Sequence, residues 1–127
     1  MISTRAAPEP AGHYSQAVVE GGFIFLAGQL PVDPATGEIA GPDDIESQTR
    51  QVLRNVEAIL QAAGSGLDRL VSVTIFVTSR SQWPEVDRVY ADMLGPHRPA
   101  RAVIPVPELR PGCLIEVQAI AAAGPVA

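Results

Sequence analysis

Glu116 stands in the middle of Leu114-Ile115-Glu116-Val117-Gln118-Ala119-Ile120, a run that otherwise reads as a buried strand. A carboxylate taken out of water without compensation is costly, so this position implies a partner, a bound water or a raised pKa. Two readings are open for it: a proton-handling acid, or a structural glutamate satisfied near a sheet edge. Arg101 opens the preceding strand candidate in Arg98-Pro99-Ala100-Arg101-Ala102-Val103. Its planar fork suits a small carboxylate, and its plain alternative is a solvated arginine at a strand end. If Arg101 and Glu116 meet, they form either an ordinary ion pair or a carboxylate-recognition site beside a general acid or base. Tyr14, between Gly12-His13 and Ser15-Gln16, offers a phenol to the same place or is simply a hairpin aromatic. Gly28 exposes backbone N–H groups to a small anion, although Ala27-Gly28-Gln29 has too few glycines for a phosphate loop.

Other chemistries find little material. His13 and His97 are lone histidines flanked by Gly or Pro, with no second His or Cys at metal-ligand spacing, so no metal is expected. Cys113, the single cysteine, sits in a Pro-Gly-Cys turn without an adjacent base and reads as a small apolar residue. No Gly-x-Ser-x-Gly, dinucleotide-binding or Walker pattern occurs. Nine basic against fourteen acidic side chains give a net charge of -5, which argues against a phosphate-binding surface and hence against nucleic acid. No run approaches the roughly 20 apolar residues of a membrane span, and the start lacks a signal-peptide core. A soluble, cytoplasmic protein is the expectation.

The elements that must position these residues follow from periodicity. At 127 residues, with 46% apolar and 18% charged, the chain has material for one core and too little charge for disorder. Residues 1–10 carry two prolines and read as an extended arm or mobile end, leaving 11–127 as one domain. Ser15 to Val19 and Gly22 to Ala27 form a hairpin through Glu20-Gly21-Gly22. From Asp44, the residues Ile45, Val52, Leu53, Val56, Ile59, Leu60 and Ala63 recur at helical spacing, with Asp43 or Asp44 as cap and Gly64 as stop. Leu70 to Thr78 reads as a strand with Val71, Val73, Ile75 and Val77 on one side. A second helix is expected behind a Ser81 cap, with Trp83, Val86, Tyr90, Met93 and Leu94 inward. Ala102 to Val106 and Leu114 to Ala122 complete the strands. The order β-β-α-β-α-β-β predicts an α+β layer, one mixed sheet with both helices on one face. The other face then needs a cover, and subunit association is expected to supply it.

Taken together, the motifs resemble the reactive-intermediate deaminase family, the Rid or YjgF-like proteins. The matching pieces are Gly12-His13-Tyr14-Ser15-Gln16-Ala17, Phe25 to Pro34 with Thr36-Gly37-Glu38, Gln48 to Val56, Arg98-Pro99-Ala100-Arg101, and Ile115 to Ala121. The resemblance implies a chorismate-mutase-like fold and a homotrimer with a central barrel and clefts between subunits. It implies hydrolysis of 2-enamine or 2-imino acids to 2-keto acids and ammonia, as in 2-iminobutanoate/2-iminopropanoate deaminases, without metal or cofactor. By the same resemblance Arg101 binds the substrate carboxylate, Glu116 positions or activates water, and Tyr14 and the backbone at Gly28 line the cleft. Val103 and Asp87 then fall at substrate-contacting positions where the family often has cysteine and asparagine. Ala27 and His13 stand where serine and proline are common, which leaves the particular imino acid open.

Alternatives from other classes are a carboxylate-binding trimer without turnover, a Rid-like enzyme repurposed in a specialised pathway, and an endoribonuclease. The acidic balance and scarcity of aromatics weigh against the last.

Overall fold

The computed structural model describes residues 1–124; the last three positions of the 11–127 domain lie outside the described residues. Strands β1 (Ala17–Glu20) and β2 (Phe23–Gln29) pair antiparallel through a turn in which Gly21 and Gly22 both take positive φ, the backbone that suits a tight right-twisted hairpin. Helix α1 (Ile45–Ala62) starts at Asp44, whose carboxylate accepts from the Glu46 N–H at 3.1 Å. Asp43, the other cap candidate, is instead in the turn with a φ of 62°. Strand β3 (Leu70–Val77) leads through a 3-10 turn into α2 (Trp83–Leu94), and β4 (Ala100–Pro105) and β5 (Ile115–Ala122) follow.

The sheet order is β1-β2-β5-β3-β4, with β3 and β4 parallel and every other pair antiparallel. The last strand of the chain is thus its centre, and α2 is the crossover that the parallel pair requires. Helix α1 packs across β5 and β2 and against α2. Beneath the helices lie Val52, Leu53, Val56, Ile59 and Leu60 of α1 against Ile24, Leu26, Val73, Ile75, Val77, Ile115, Val117, Ala119 and Ala121 of the strands, all buried. This is the expected α+β layer, a mixed five-stranded sheet with two helices on one face.

Two local expectations need correction. The β3 alternation breaks at its start: a register irregularity between Leu70 and Ser72 buries Leu70 and turns Val71 out to solvent. The cap before α2 is Ser79, which accepts from the Ser81 N–H and begins the 3-10 turn; α2 itself starts behind Gln82 with no side-chain cap. Val89 joins the buried face of α2. The opening segment is extended but fixed: Ile2 bridges Ala17, Ala7 is buried, and the Gln16 amide ties Thr4, Ala7 and Pro8. Of the two readings of this segment, an extended arm or a mobile end, the chain has the arm, held by a side chain twelve residues away.

Among the described residues, nothing covers the opposite face of the sheet. Val18, Phe25, Ile120, Phe76 and Ile104 share it by register, and Val18, Phe25 and Ile104 are exposed large apolar side chains. No helix among the described residues is long and apolar enough to cross a membrane.

Candidate active site

The residues singled out from the sequence fall into two clusters. The first lies where β2 passes β5. Leu26 pairs with Ala119 and Gln29 with Val117, so β2 spends one extra residue over Ala27 and Gly28. The bulge carries Gly28 to a place where a side chain has no room: a Cβ there would collide with Glu116 Oε2 and lie 3.2 Å from its Cδ. The Glu116 carboxylate therefore rests on the Gly28 backbone. It is half-buried, and burial alone pushes its pKa above the usual carboxylate range. Of the outcomes the sequence allowed for this carboxylate, the raised pKa is what the chain has; no hydrogen bond or ion pair answers it among the described residues.

Buried amides hold this cluster in place. Gln48 of α1 donates to Gly112 O at 2.9 Å and accepts from Leu114 N–H at 2.7 Å, clamping the turn that delivers β5. Asn55, two turns along, donates to Leu30 O at 3.0 Å and Val32 O at 2.9 Å, fixing the chain just beyond the bulge. A buried amide left unpaired would be costly, so these contacts are strongly specified. Their positioning role went unread from sequence. The signal was present: positions 48, 52, 55 and 59 form one stripe at helical spacing, and amides interrupt it twice.

Tyr14 stands in the loop before β1, 53% exposed, its hydroxyl accepting from Ala11 N–H at 3.3 Å. With Gly28, Gln16, Gln29, Arg5 and Arg110 it lines a cavity of about 610 Å³. Tyr14 and Gly28 thus share one site wall.

The second cluster sits on the sheet's other side. Arg101 pairs in register with Val73, and Val103 with Ile75, so both project toward the helix face at the β4 edge. The Arg101 guanidinium lies 4.6 Å from the Trp83 ring centroid and 4.9 Å from that of Tyr90, both on α2. Stacking on two rings fixes the plane of the fork. Asp87, one helical turn from Trp83, accepts from Arg101 Nη1 at 2.8 Å. The Arg101 side chain remains 29% exposed and borders a recess of about 590 Å³ with Arg80, Trp83, Val103 and Pro105. The Tyr90 hydroxyl is buried without a partner among the described residues, and burial pushes its phenol pKa up.

Arg101 and Glu116 do not meet within the chain. Glu116 pairs with Phe76, which pairs with Ile104, so all three project from the bare face, opposite to Arg101. The arginine's partner here is Asp87, and the conditional pairing with Glu116 is not formed inside one subunit. Two half-sites result: a carboxylate with a glycine floor, and a stacked guanidinium fork. Of the remaining titratable groups, His97 is engaged by Leu70 O at 2.7 Å, and Cys113 is buried with its thiol pKa raised mainly by burial.

Residues 4–123 match the family described as Endoribonuclease L-PSP. A RutC family protein of Pyrococcus horikoshii is 46% identical over 121 residues, covering 95% of each chain. Among solved structures, a protein of unknown function of the conserved Rid family from Yersinia pestis shares 41% identity at a TM-score of 0.92, covering 96% of this chain and 97% of its own. E. coli TdcF with bound serine shares 35% identity at a TM-score of 0.91, covering 98% of both chains. Agreement of sequence and backbone over nearly the whole length makes this chain a member of the Rid/YjgF family, to which the RutC and L-PSP proteins also belong.

Proposed function

We propose that the chain is a hydrolytic deaminase of reactive 2-enamine and 2-imino acids, working as a homotrimer whose sites lie between subunits. The observation that carries this reading is the separation of the two half-sites: an unpaired carboxylate and a displayed guanidinium on opposite faces of one sheet. The half-buried Glu116 and the 29% exposed Arg101 side chain both remain accessible to a second copy, and the apolar strip of Val18, Phe25 and Ile104 gives that copy a surface to cover. The family resemblance and the bound serine of the E. coli relative point to an amino-acid-like ligand. The same bound serine favours, as a second reading, a trimer that binds small carboxylates without turnover.

The chemistry fits the residues. The Arg101 fork, its plane set by Trp83 and Tyr90, holds the substrate carboxylate. An enamine first takes a proton at its β-carbon and becomes the iminium. Water, oriented by Glu116 of the neighbouring subunit, then attacks the iminium carbon while the carboxylate accepts its proton. The C=N bond becomes a C–N single bond and the nitrogen receives the proton back from Glu116; as the C=O bond closes and the C–N bond breaks, Glu116 takes the hydroxyl proton and passes it to the departing ammonia. One 2-iminium acid and one water give one 2-keto acid and one ammonium ion. An iminium carbon is already electrophilic, so positioning and one proton relay carry the step. Burial suits Glu116 to this relay because it brings the carboxyl closer to working pH.

The test is subunit complementation. Arg101→Ala and Glu116→Gln are each expected to lose at least about tenfold in kcat/KM, from the charged contact and the proton relay respectively. Randomly mixed trimers of the two variants place both native groups in about one site in four. Imines generated in place by an amino-acid oxidase, followed by keto-acid and ammonia release, should show about that fraction of native activity in the mixture. No recovery from the mixture, with trimers formed, rules out sites shared between subunits. Binding of small carboxylates with no acceleration of any imine instead establishes the second reading.

A further inference from the structure

The cavity beside Tyr14 and Gly28 is larger than a three- or four-carbon imino acid needs, and its rim has an unusual charge. The chain carries a net charge of -5, yet this wall contributes two guanidinium groups, Arg5 and Arg110, against one carboxylate, Glu9. Neither Arg5 nor Arg110 forms an ion pair or a side-chain hydrogen bond among the described residues, whereas Arg50, Arg88 and Arg101 are all paired with carboxylates. The two come from distant parts of the sequence. Arg5 is set by the arm that Gln16 fixes, and Arg110 by the loop that Gln48 clamps at Gly112 and Leu114. Arg110 shares this wall with Gly28, the residue against which the Glu116 carboxylate rests.

We propose that this wall is a second anion subsite, selecting 2-imino acids that carry a distal carboxylate. The inference rests on the deaminase reading of the same cleft. The fork at Arg101 takes the α-carboxylate, the reacting carbon sits at Glu116 over Gly28, and the side chain of the substrate runs past Tyr14 into the cavity. A cavity of about 610 Å³ has room for a dicarboxylic imino acid with two or three methylene groups. Arg5 and Arg110 meet its far end, and Glu9 on the same wall sets a limit by repelling an anion placed too close to the arm.

Two measurements decide it. In the first, kcat/KM is compared for imines made from alanine, aspartate, glutamate and glutamine by amino-acid oxidases, the last as the uncharged match to glutamate. The expected preference for a dicarboxylic imine over its uncharged match is about tenfold or more, the discrimination given by one charged hydrogen bond. Arg110→Ala and Arg5→Ala should each shrink that ratio, and Glu9→Gln should enlarge it. A ratio near one in the native protein, or one unmoved by Arg110→Ala, overturns the inference while leaving the deaminase reading standing. In the second, calorimetric titration with 2-ketoglutarate and with 2-ketobutyrate reads the subsite without turnover. Tighter binding of the dicarboxylate, weakened by Arg110→Ala, supports the subsite even if no imine is hydrolysed, in which case only the deaminase reading fails. Equal binding of the two keto acids refutes it.

Discussion

Gly28→Ala isolates the contact on which the carboxylate half-site depends. The φ of Gly28 is not in the left-handed region, so alanine can adopt the backbone, and the only obstacle is space. Its Cβ would collide with Glu116 Oε2 and stand 3.2 Å from Cδ and 3.5 Å from Cγ. Restoring an ordinary contact of about 3.5 to 4 Å requires the carboxylate to swing away by at least about 1 Å, which the flexible end of a glutamate can do. The fold should therefore survive: relief of unfolded-state entropy stabilises by about 0.4–1 kcal/mol and offsets part of the crowding. Catalysis should not survive unchanged, because a displacement of about 1 Å costs on the order of 100-fold, equivalent to about 2.7 kcal/mol. The expected result is a fall of that size in kcat/KM for oxidase-generated 2-imino acids, with Tm within a few degrees of native. Combining the change with Glu116→Gln should then cost almost nothing further, since the displaced group is already disabled. Full activity of Gly28→Ala, or a loss that simply adds to that of Glu116→Gln, would refute the argument that Gly28 serves to seat this carboxylate.

Three further outcomes follow. Asp87→Asn removes an anion 2.8 Å from the Arg101 fork; KM for 2-imino acids should fall severalfold, and because the pair is partly exposed Tm should hardly move, so a raised KM would show that Asp87 helps the substrate rather than competes with it. Glu116→Gln should leave Tm at neutral pH equal or higher: the folded carboxyl titrates above its ordinary 4.5, so the cost of burying its charge is present above the folded pKa and gone below the unfolded one. Scanning calorimetry from pH 7 down toward 4 should show that advantage vanish, and a variant less stable by several degrees at pH 7 contradicts it. Phe25→Asp charges the bare sheet face; light scattering should show trimers breaking into smaller species with loss of activity, and intact trimers would mean that this face is not the interface.

Much of the architecture was legible because its causes are local. The stripe from Val52 to Leu60, the paired glycines at 21 and 22 and the β-branched run of β3 each state their element in adjacent residues. What escaped the sequence depends on partners far along the chain. The break at Leu70 and Val71 comes from pairing with β5, some fifty residues away, and the fixed arm depends on the amide of Gln16. The candidate site divides the same way. Glu116 was conspicuous as a charge in an apolar strand, and Arg101 as a fork at a strand start. That Gly28 is the floor beneath Glu116 needed the bulge in β2, which periodicity cannot express. That Trp83 and Tyr90 form a platform for Arg101 needed α2 to cross beside β4; from sequence they were only inward-facing aromatics.

The register also explains why one subunit cannot assemble the proposed site by adjusting side chains. Arg101 aligns with Val73 and Glu116 with Phe76, an odd offset along β3 that places them on opposite faces. A rotamer change cannot carry a side chain through a sheet, and a one-residue slip would expose every buried valine of β3. The chain therefore keeps its cation and its carboxylate apart, which denies each the neutralising partner the other would be. Arg101 accepts a partly exposed substitute in Asp87, one a substrate carboxylate can displace, and Glu116 has only burial and a raised pKa. In the proposed trimer the two groups face each other across a gap that substrate fills, so the ion pair that would silence them is prevented by the fold and the charge complementarity is reserved for the ligand.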